Sequence, residues 1–240
     1  MNLKNKIAVL TGVSSGLGKS ITQALIDKGV IVYGLARNSE ALSLLRENLG
    51  QNFHPVRMDI TNAESVKNWV EETFSLEKIP NILINNAGAG SFQKIEETEE
   101  EEWLKMINTN LNGMFYITKA VSALMKETQE SSHILNIGSI LGKTARPEGA
   151  AYCASKFGVS GFTESLFKEL RFFNIKVTAF HPGSIETDFF KSSGIKAHKN
   201  MLSPKDLANT IIHILEMPEN MLVNEITVRP LNPSKPKSNL

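Results

Sequence analysis

A chain of 240 residues, 41% hydrophobic and 21% charged, is long enough for a full core and too apolar to be disordered or collagen-like. Its 26 Lys and Arg nearly balance 25 Asp and Glu, so the net charge of +1 supplies no field to gather nucleic acid or an anionic membrane. One cysteine, Cys153, excludes an internal disulfide and any cysteine-rich zinc or iron–sulfur site.

The first apolar run, 7–10, stops at Thr11-Gly12. It is too short for the core of a signal peptide, and no window reaches the roughly 20 apolar residues that span a bilayer, so a cytoplasmic protein is expected. The run reads instead as a buried strand, followed by a helical pattern over 17–28. The alternation continues with a strand at 30–35, a helix at 39–48, a strand at 53–58 and a helix at 62–76. Then come a strand at 81–84, a helix at 99–126, a strand at 133–137, a helix at 151–173, a strand at 176–180, a helix at 204–216 and a seventh strand at 226–228. The strands are nearly continuous in apolar and β-branched residues, the pattern of strands covered on both faces. Thr61-x-x-Glu64 and Thr98-x-x-Glu101 fit the capping box, and Ser203-Pro204 places a cap before a proline at the first helical position. The acidic run 96–102 falls on the second box, where carboxylates oppose the positive end of a helix. This order predicts a doubly wound parallel α/β sheet of about seven strands, helices on both faces, in a single domain over 1–229. The proline-rich tail, 230–240, is expected to be loose.

Thr11-Gly12-Val-Ser-Ser-Gly16-Leu-Gly18 joins the first strand to the first helix. Gly18-Lys19-Ser20 imitates the end of a nucleotide-hydrolase phosphate loop, but Val13 stands where that motif needs glycine. Gly12-Val-Ser14-Ser-Gly16 matches a nucleophile elbow, yet the oxyanion loop's usual strand has not been made by this point in the chain. A dinucleotide loop is the third reading: small residues let backbone N–H groups approach a phosphate at the helix N-terminus. The second strand then ends in Ala36-Arg37, with Arg37 19 residues past Gly18. An NAD site would put a carboxylate there, whereas a guanidinium forks onto a phosphate, so NADP(H) is expected over NAD(H). Arg37 taken alone reads equally as a solvated loop arginine.

Tyr152-Cys-Ala-Ser-Lys156 places Tyr and Lys one turn apart on one helix face. A cation at about 4 Å and an effective dielectric near 20 is worth roughly 4 kcal/mol, enough to bring a phenol with a pKa near 10 towards working pH. Ser139 ends the fifth strand, where ligands bind in an open α/β sheet, and its hydroxyl can polarise a carbonyl. Read singly, the pair is a shared surface and Ser139 a turn serine.

Together these pieces resemble the short-chain dehydrogenase/reductase family in its short one-domain form, over about residues 5–230. The matching text is Thr11-Gly12-x-x-x-Gly16-x-Gly18, Asp59-Ile60, Asn85-Asn86-Ala87-Gly88, Asn110-x-x-Gly113, Ser139, Tyr152-x-x-x-Lys156 and Pro182-Gly183-x-x-x-Thr187. The resemblance implies a Rossmann-like fold and hydride transfer between NADP(H) and a carbonyl or alcohol. Tyr152 is then the general acid or base, and Ser139 holds the substrate oxygen. Lys156 binds the nicotinamide ribose and lowers the tyrosine pKa. Asn110 holds a water linking Lys156 to solvent. Gly12, Ser14, Ser15, Gly16, Leu17 and Gly18 cradle the phosphates. Asp59 and Ile60 border the adenine, Asn86, Ala87 and Gly88 run under the cofactor, and Pro182, Gly183, Ile185 and Thr187 fix the carboxamide end. Ser15 departs from relatives that carry a basic residue there, leaving Arg37 as the main phosphate clamp, with Ser14, Asn38 and Ser39 as hydrogen-bond donors. The C-terminus also lacks the glycine-rich end of 3-oxoacyl-carrier-protein reductases, which puts that substrate and its tetramer in doubt.

Ile140, Leu141, Pro147, Phe189 and Phe190 are candidates to line the substrate site, under a lid over 186–202 hinged at Ser192-Ser-Gly194. The two phenylalanines read equally as pins for that loop. The five histidines show no ligand spacing, and no metal is expected. Cys153 reads as a small core residue or a thiol sensitised by Lys156. A 3-oxoacyl-thioester reductase and a non-catalytic NADP-binding regulator are the alternatives. The helices at 99–126 and 151–173 are expected to pair with another copy in a homodimer or homotetramer, through Phe157, Phe162, Leu166 and Phe167.

Overall fold

The computed structural model describes residues 1–189, 193 and 198–232. Phe190, Ser192, Gly194 and the tail beyond residue 232 therefore lie outside the described residues. Seven parallel strands form one sheet in the order β3-β2-β1-β4-β5-β6-β7. They are β1 (Ile7–Thr11), β2 (Ile31–Ala36), β3 (Phe53–Arg57), β4 (Ile82–Asn85), β5 (Ser132–Ile137), β6 (Ile175–Pro182) and β7 (Glu225–Val228). The helices are α1 (Gly16–Asp27), α2 (Ser39–Leu49), α3 (Ala63–Thr73), α4 (Glu100–Ile107), α5 (Gly113–Met125), α6 (Ala150–Leu170) and α7 (Pro204–Glu216). This is the Rossmann-like α/β architecture expected from the alternation.

Side chains of the central strands leave alternately for the two faces, as the strand period requires. Ala8 and Leu10 join a core shared with α1, α2 and α7, while Val9 joins the opposite core, under α3, α5 and α6. Ile82 and Ile84 against Leu83 repeat the division. Only the inner strands are covered on both sides. In the edge strands, β3 buries only Phe53 and then alternates partly buried and exposed positions, as all of β7 does, because no neighbour shields their outer side.

Two predicted caps shift by one residue or dissolve. Asn62, not Thr61, caps α3 by accepting the Ser65 N–H at 2.9 Å, because Thr61 is held by the Asp59 carboxylate. Thr98 donates to the Lys94 carbonyl and closes a 3-10 turn, leaving α4 without a side-chain cap. Ser203-Pro204 opens α7 as expected. The helical pattern over 99–126 is broken into α4 and α5 by a π turn over 108–112. Of the apolar residues expected at a subunit face, Leu166 is buried in the core and Phe162 and Phe167 pack against it, partly buried. Phe157 remains 45% exposed, in company with Trp103, Leu104 and Phe115. Among the described residues no helix is long and apolar enough to cross a membrane.

Candidate active site

The winding direction reverses between β1 and β4, and a cleft of about 610 Å³ opens over the carboxyl ends of the strands there. Every residue read as touching a cofactor lines it except Asn38 and Ser39, which opens α2. The Asn38 side chain instead accepts the Ala41 N–H at 3.0 Å and caps α2.

The loop after β1 is built from glycines that nothing larger can replace. Gly12 and Gly16 hold φ of 72° and 51°. A Cβ on Gly12 would lie 2.8 Å from the Ala87 Cα, and one on Gly18 would run into the Gly12 carbonyl oxygen. This close packing leaves the amides at the start of α1 facing the cleft. Asn86 ties the loop to β4: its Nδ2 donates to the carbonyls of Thr11 and Gly12 at 3.0 Å each, and its backbone N–H donates to Thr11 Oγ1. The Asn86 amide is thus spent on the protein itself.

At one end of the cleft Ala36 is buried and Arg37 is exposed. The Thr61 backbone N–H, the Thr61 hydroxyl and the Arg37 guanidinium hold the Asp59 carboxyl below its usual range, against the opposing effect of burial. No carboxylate ends β2 where one would repel a phosphate.

The other end holds the chemistry. Tyr152 and Lys156 share one face of α6, both buried, and Ser139 follows β5 beside them. Ser139 Oγ accepts the Leu141 N–H at 3.1 Å. Burial pushes the Tyr152 phenol up to about 12, with the Ser139 hydroxyl partly opposing it. Lys156 Nζ donates to the Ile137 carbonyl at 2.9 Å and stands 5.9 Å from the Tyr152 ring centre. Burial lowers its pKa to about 8. The expected fall in the tyrosine pKa therefore does not occur here: desolvation acts on both groups, and the ammonium is turned to a carbonyl.

Asn110 sits in the π turn, fully buried. Its Nδ2 donates to Ala89 O and Ser155 Oγ, and its Oδ1 accepts the Ala89 N–H at 2.7 Å. Ser155 in turn donates to the Tyr152 carbonyl at 2.8 Å. Asn110 thus fixes the loop after β4 to the helix that carries Tyr152, and both amide hydrogens are used. One lone pair of Oδ1 is left for a water. Beneath the site, Asn85 Nδ2 donates to Thr118 and Asn136, and Asn136 donates to Thr163, joining two strands to α5 and α6.

Of the expected substrate-lining residues, Ile140, Leu141 and Phe189 line the cleft and Pro147 does not. The sequence reading missed Phe92 and Arg146. Phe92 and Phe189 flank Tyr152 at 5.1 and 5.9 Å between ring centres. No motif announces either residue, since both enter from loops. The segment after β6 is anchored at its base, where Ile185 and Leu202 form a parallel bridge. Among the described residues no cluster of three or more His, Cys, Asp or Glu could hold a metal, and Cys153 is buried.

Comparisons place this geometry among known proteins. A family model described as short chain dehydrogenase matches residues 6–197. An uncharacterized oxidoreductase of Staphylococcus saprophyticus is 36% identical over 235 residues, spanning 96% of this chain and 100% of the relative. The closed form of a serine dehydrogenase complexed with NADP+ superposes with a TM-score of 0.86 at 30% identity, covering 92% of this chain and 93% of that one. The 3-ketoacyl-(acyl-carrier-protein) reductase of Brucella melitensis, complexed with NADH, gives 0.85 at 27% identity, covering 95% and 98%.

Proposed function

The chain belongs to the short-chain dehydrogenase family and is an oxidoreductase, and from that premise we propose that it moves hydride between NADP(H) and a carbonyl or alcohol substrate. The observation that carries this reading is the convergence of Ser139, Tyr152 and Lys156 at one end of a cleft whose other end presents Arg37. A glycine cradle that a Cβ would fill, open amides at α1 and a guanidinium at the end of β2 fit a phosphorylated dinucleotide. The serine dehydrogenase neighbour, solved with NADP+, supports the same choice.

When bound, the nicotinamide supplies or accepts the hydride. Tyr152 gives its phenolic proton to the substrate oxygen in reduction and removes it in oxidation. Ser139 orients that oxygen, its own Oγ held by the Leu141 N–H. Lys156, with a pKa of about 8, is largely charged at neutral pH, and the ammonium hydrogens not given to Ile137 O are available to hold the nicotinamide ribose. Of the lid expected over 186–202, the described Phe189 lies over the substrate end of the cleft, beyond the Ile185–Leu202 bridge, and residues 190–192 and 194–197 lie outside the described residues. A homodimer or homotetramer would cover Trp103, Leu104, Phe115 and Phe157. A 3-oxoacyl-thioester reductase is the second reading, favoured by the fold match to the Brucella enzyme.

Titration with NADPH and NADH, followed by cofactor fluorescence, tests the cofactor. Tighter NADPH, with the NADPH-to-NADH affinity ratio falling at least tenfold in Arg37→Ala, is expected. An unchanged ratio would mean that Arg37 points to solvent and that NAD-linked oxidation should be sought. Tyr152→Phe removes the transferable proton, and turnover at the parent rate in that variant would exclude the mechanism.

A further inference from the structure

Arg146 stands on the rim of the cleft, in the loop before α6, and the chemistry above makes no use of it. Its guanidinium lies 5.1 Å from the centre of the Phe92 ring, which itself packs 5.1 Å from the centre of the Tyr152 ring. One aromatic side chain thus separates a fixed cation from the proton donor. The ring attracts the guanidinium electrostatically and shields one side of it from water.

The protein leaves most of this group's hydrogen-bonding capacity open. Arg146 Nε donates to the adjacent Pro147 carbonyl at 3.1 Å. Its contact with Glu148 is 4.0 Å, too long for a hydrogen bond, and both side chains are substantially exposed, so solvent screens the pair. The other cations of the cleft are committed elsewhere: Arg37 stands by Asp59 at the far end, and Lys156 is buried against Ile137 O. Asp188 also lines the cleft and has a partner of its own. His198, another lining residue, keeps a buried Nδ1 without a hydrogen-bond partner among the described residues. A buried polar atom of this kind calls for a partner that the described residues do not provide.

We infer that the substrate carries a carboxylate, gripped by Arg146 while the reacting carbon meets Ser139 and Tyr152. The substrate class is a short hydroxy acid or the matching oxo acid, an inference that rests on the oxidoreductase reading above. The planar fork of arginine matches a carboxylate edge to edge. Lys156, the other described cation at that end, is buried against the Ile137 carbonyl, so one exposed guanidinium is offered, which suits a carboxylate better than a phosphate dianion.

The test compares NADPH-dependent reduction of 3-oxobutanoate with that of its methyl ester, which keeps the ketone and loses the charge. The acid is expected to be preferred. In Arg146→Gln the acid-to-ester ratio of kcat/KM should fall at least tenfold, and Arg146→Lys, which keeps the charge without the fork, should recover part of it. Using a ratio removes any general loss from misfolding. Equal use of acid and ester, or a ratio that Arg146→Gln leaves unchanged, overturns the carboxylate and leaves the reductase reading intact. Turnover of neutral aldehydes but of neither test compound does the same. Failure of every compound in the panel overturns both.

Discussion

His181 Nδ1 lies 3.1 Å from the backbone oxygen of Ser139. A carbonyl only accepts, so Nδ1 carries the hydrogen and the ring behind Ser139 is the neutral Nδ1–H tautomer. Burial lowers the pKa of this imidazole and keeps it in that form. Gly138 has no side chain because a Cβ there would meet the ring. His181 is thus a positioning residue for Ser139. His181→Leu removes one of the two hydrogen bonds to the Ser139 carbonyl, which keeps the Gly142 N–H at 2.9 Å, and is expected to cost about 1 kcal/mol in denaturant unfolding. It should lower kcat more than it raises KM, and His181→Gln, whose amide can donate, should restore part of the rate. Equal kcat in the Leu variant would deny the role.

Lys156→Met should stabilise the cofactor-free protein while removing its activity. The folded pKa of Lys156 is lowered from 10.5 to about 8 by burial. Stability from this group is complete above pH 10.5 and is lost as pH falls towards 8, so a neutral solution holds a buried ammonium at a cost. Replacing it with an apolar chain of similar length is expected to gain roughly 1–3 kcal/mol at pH 7, after losing the bond to Ile137 O. A lower unfolding midpoint in the variant would show the ammonium to be fully compensated where it lies.

Acid should weaken the fold before its carboxylates titrate. His133 is buried, and its pKa falls from 6.5 to about 3 through desolvation. Thr178 donates its one hydroxyl hydrogen to Val223 O at 2.6 Å, so His133 Nε2 must donate to Thr178. Below pH 6.5 the unfolded chain takes up a proton that the folded one refuses until about pH 3, and stability drops across that window. His54 and His181 shift in the same direction. Urea midpoints from pH 7 to 4 should therefore fall less steeply in His133→Gln than in the parent, with a residual slope from the other two.

Two glycine-to-alanine changes should have opposite signs. Gly18→Ala drives a methyl group into the Gly12 carbonyl and should abolish NADPH binding or folding. Gly161 lies inside α6 with nothing within 4 Å of its Cβ position. Gly161→Ala is expected to stabilise by about 0.5–1 kcal/mol through helix propensity alone. Thermal unfolding of the two variants side by side checks both.

The alternation of strands and helices was readable because buried parallel strands and helices have different periods. The glycine loop and the Tyr152–Lys156 pair were readable because a tight turn and one helical turn are purely local. Thr61 misled as a cap because Asp59, two residues back, competes for its N–H and hydroxyl, a contest that spacing does not reveal. His181 meets Ser139 only because β5 and β6 pair with Ile137 opposite Phe180, a register the chain does not spell out. Phe92 and Arg146 come from separate loops and meet only in three dimensions. The pKa order of Tyr152 and Lys156 depends on burial, which no i to i+4 spacing encodes.

The π turn at 108–112 amounts to one residue inserted into what would otherwise be a single long helix. Each helical residue advances the azimuth by about 100°, so the insertion sets the phase between α4 and α5. Deleting one residue there would regularise the backbone bonds and rotate Trp103 and Leu104 by about 100° relative to Phe115. It would also swing the Asn110 amide away from Ala89. One irregular turn thus couples the outer apolar surface to the catalytic loop, and a length change at this point would be felt at both.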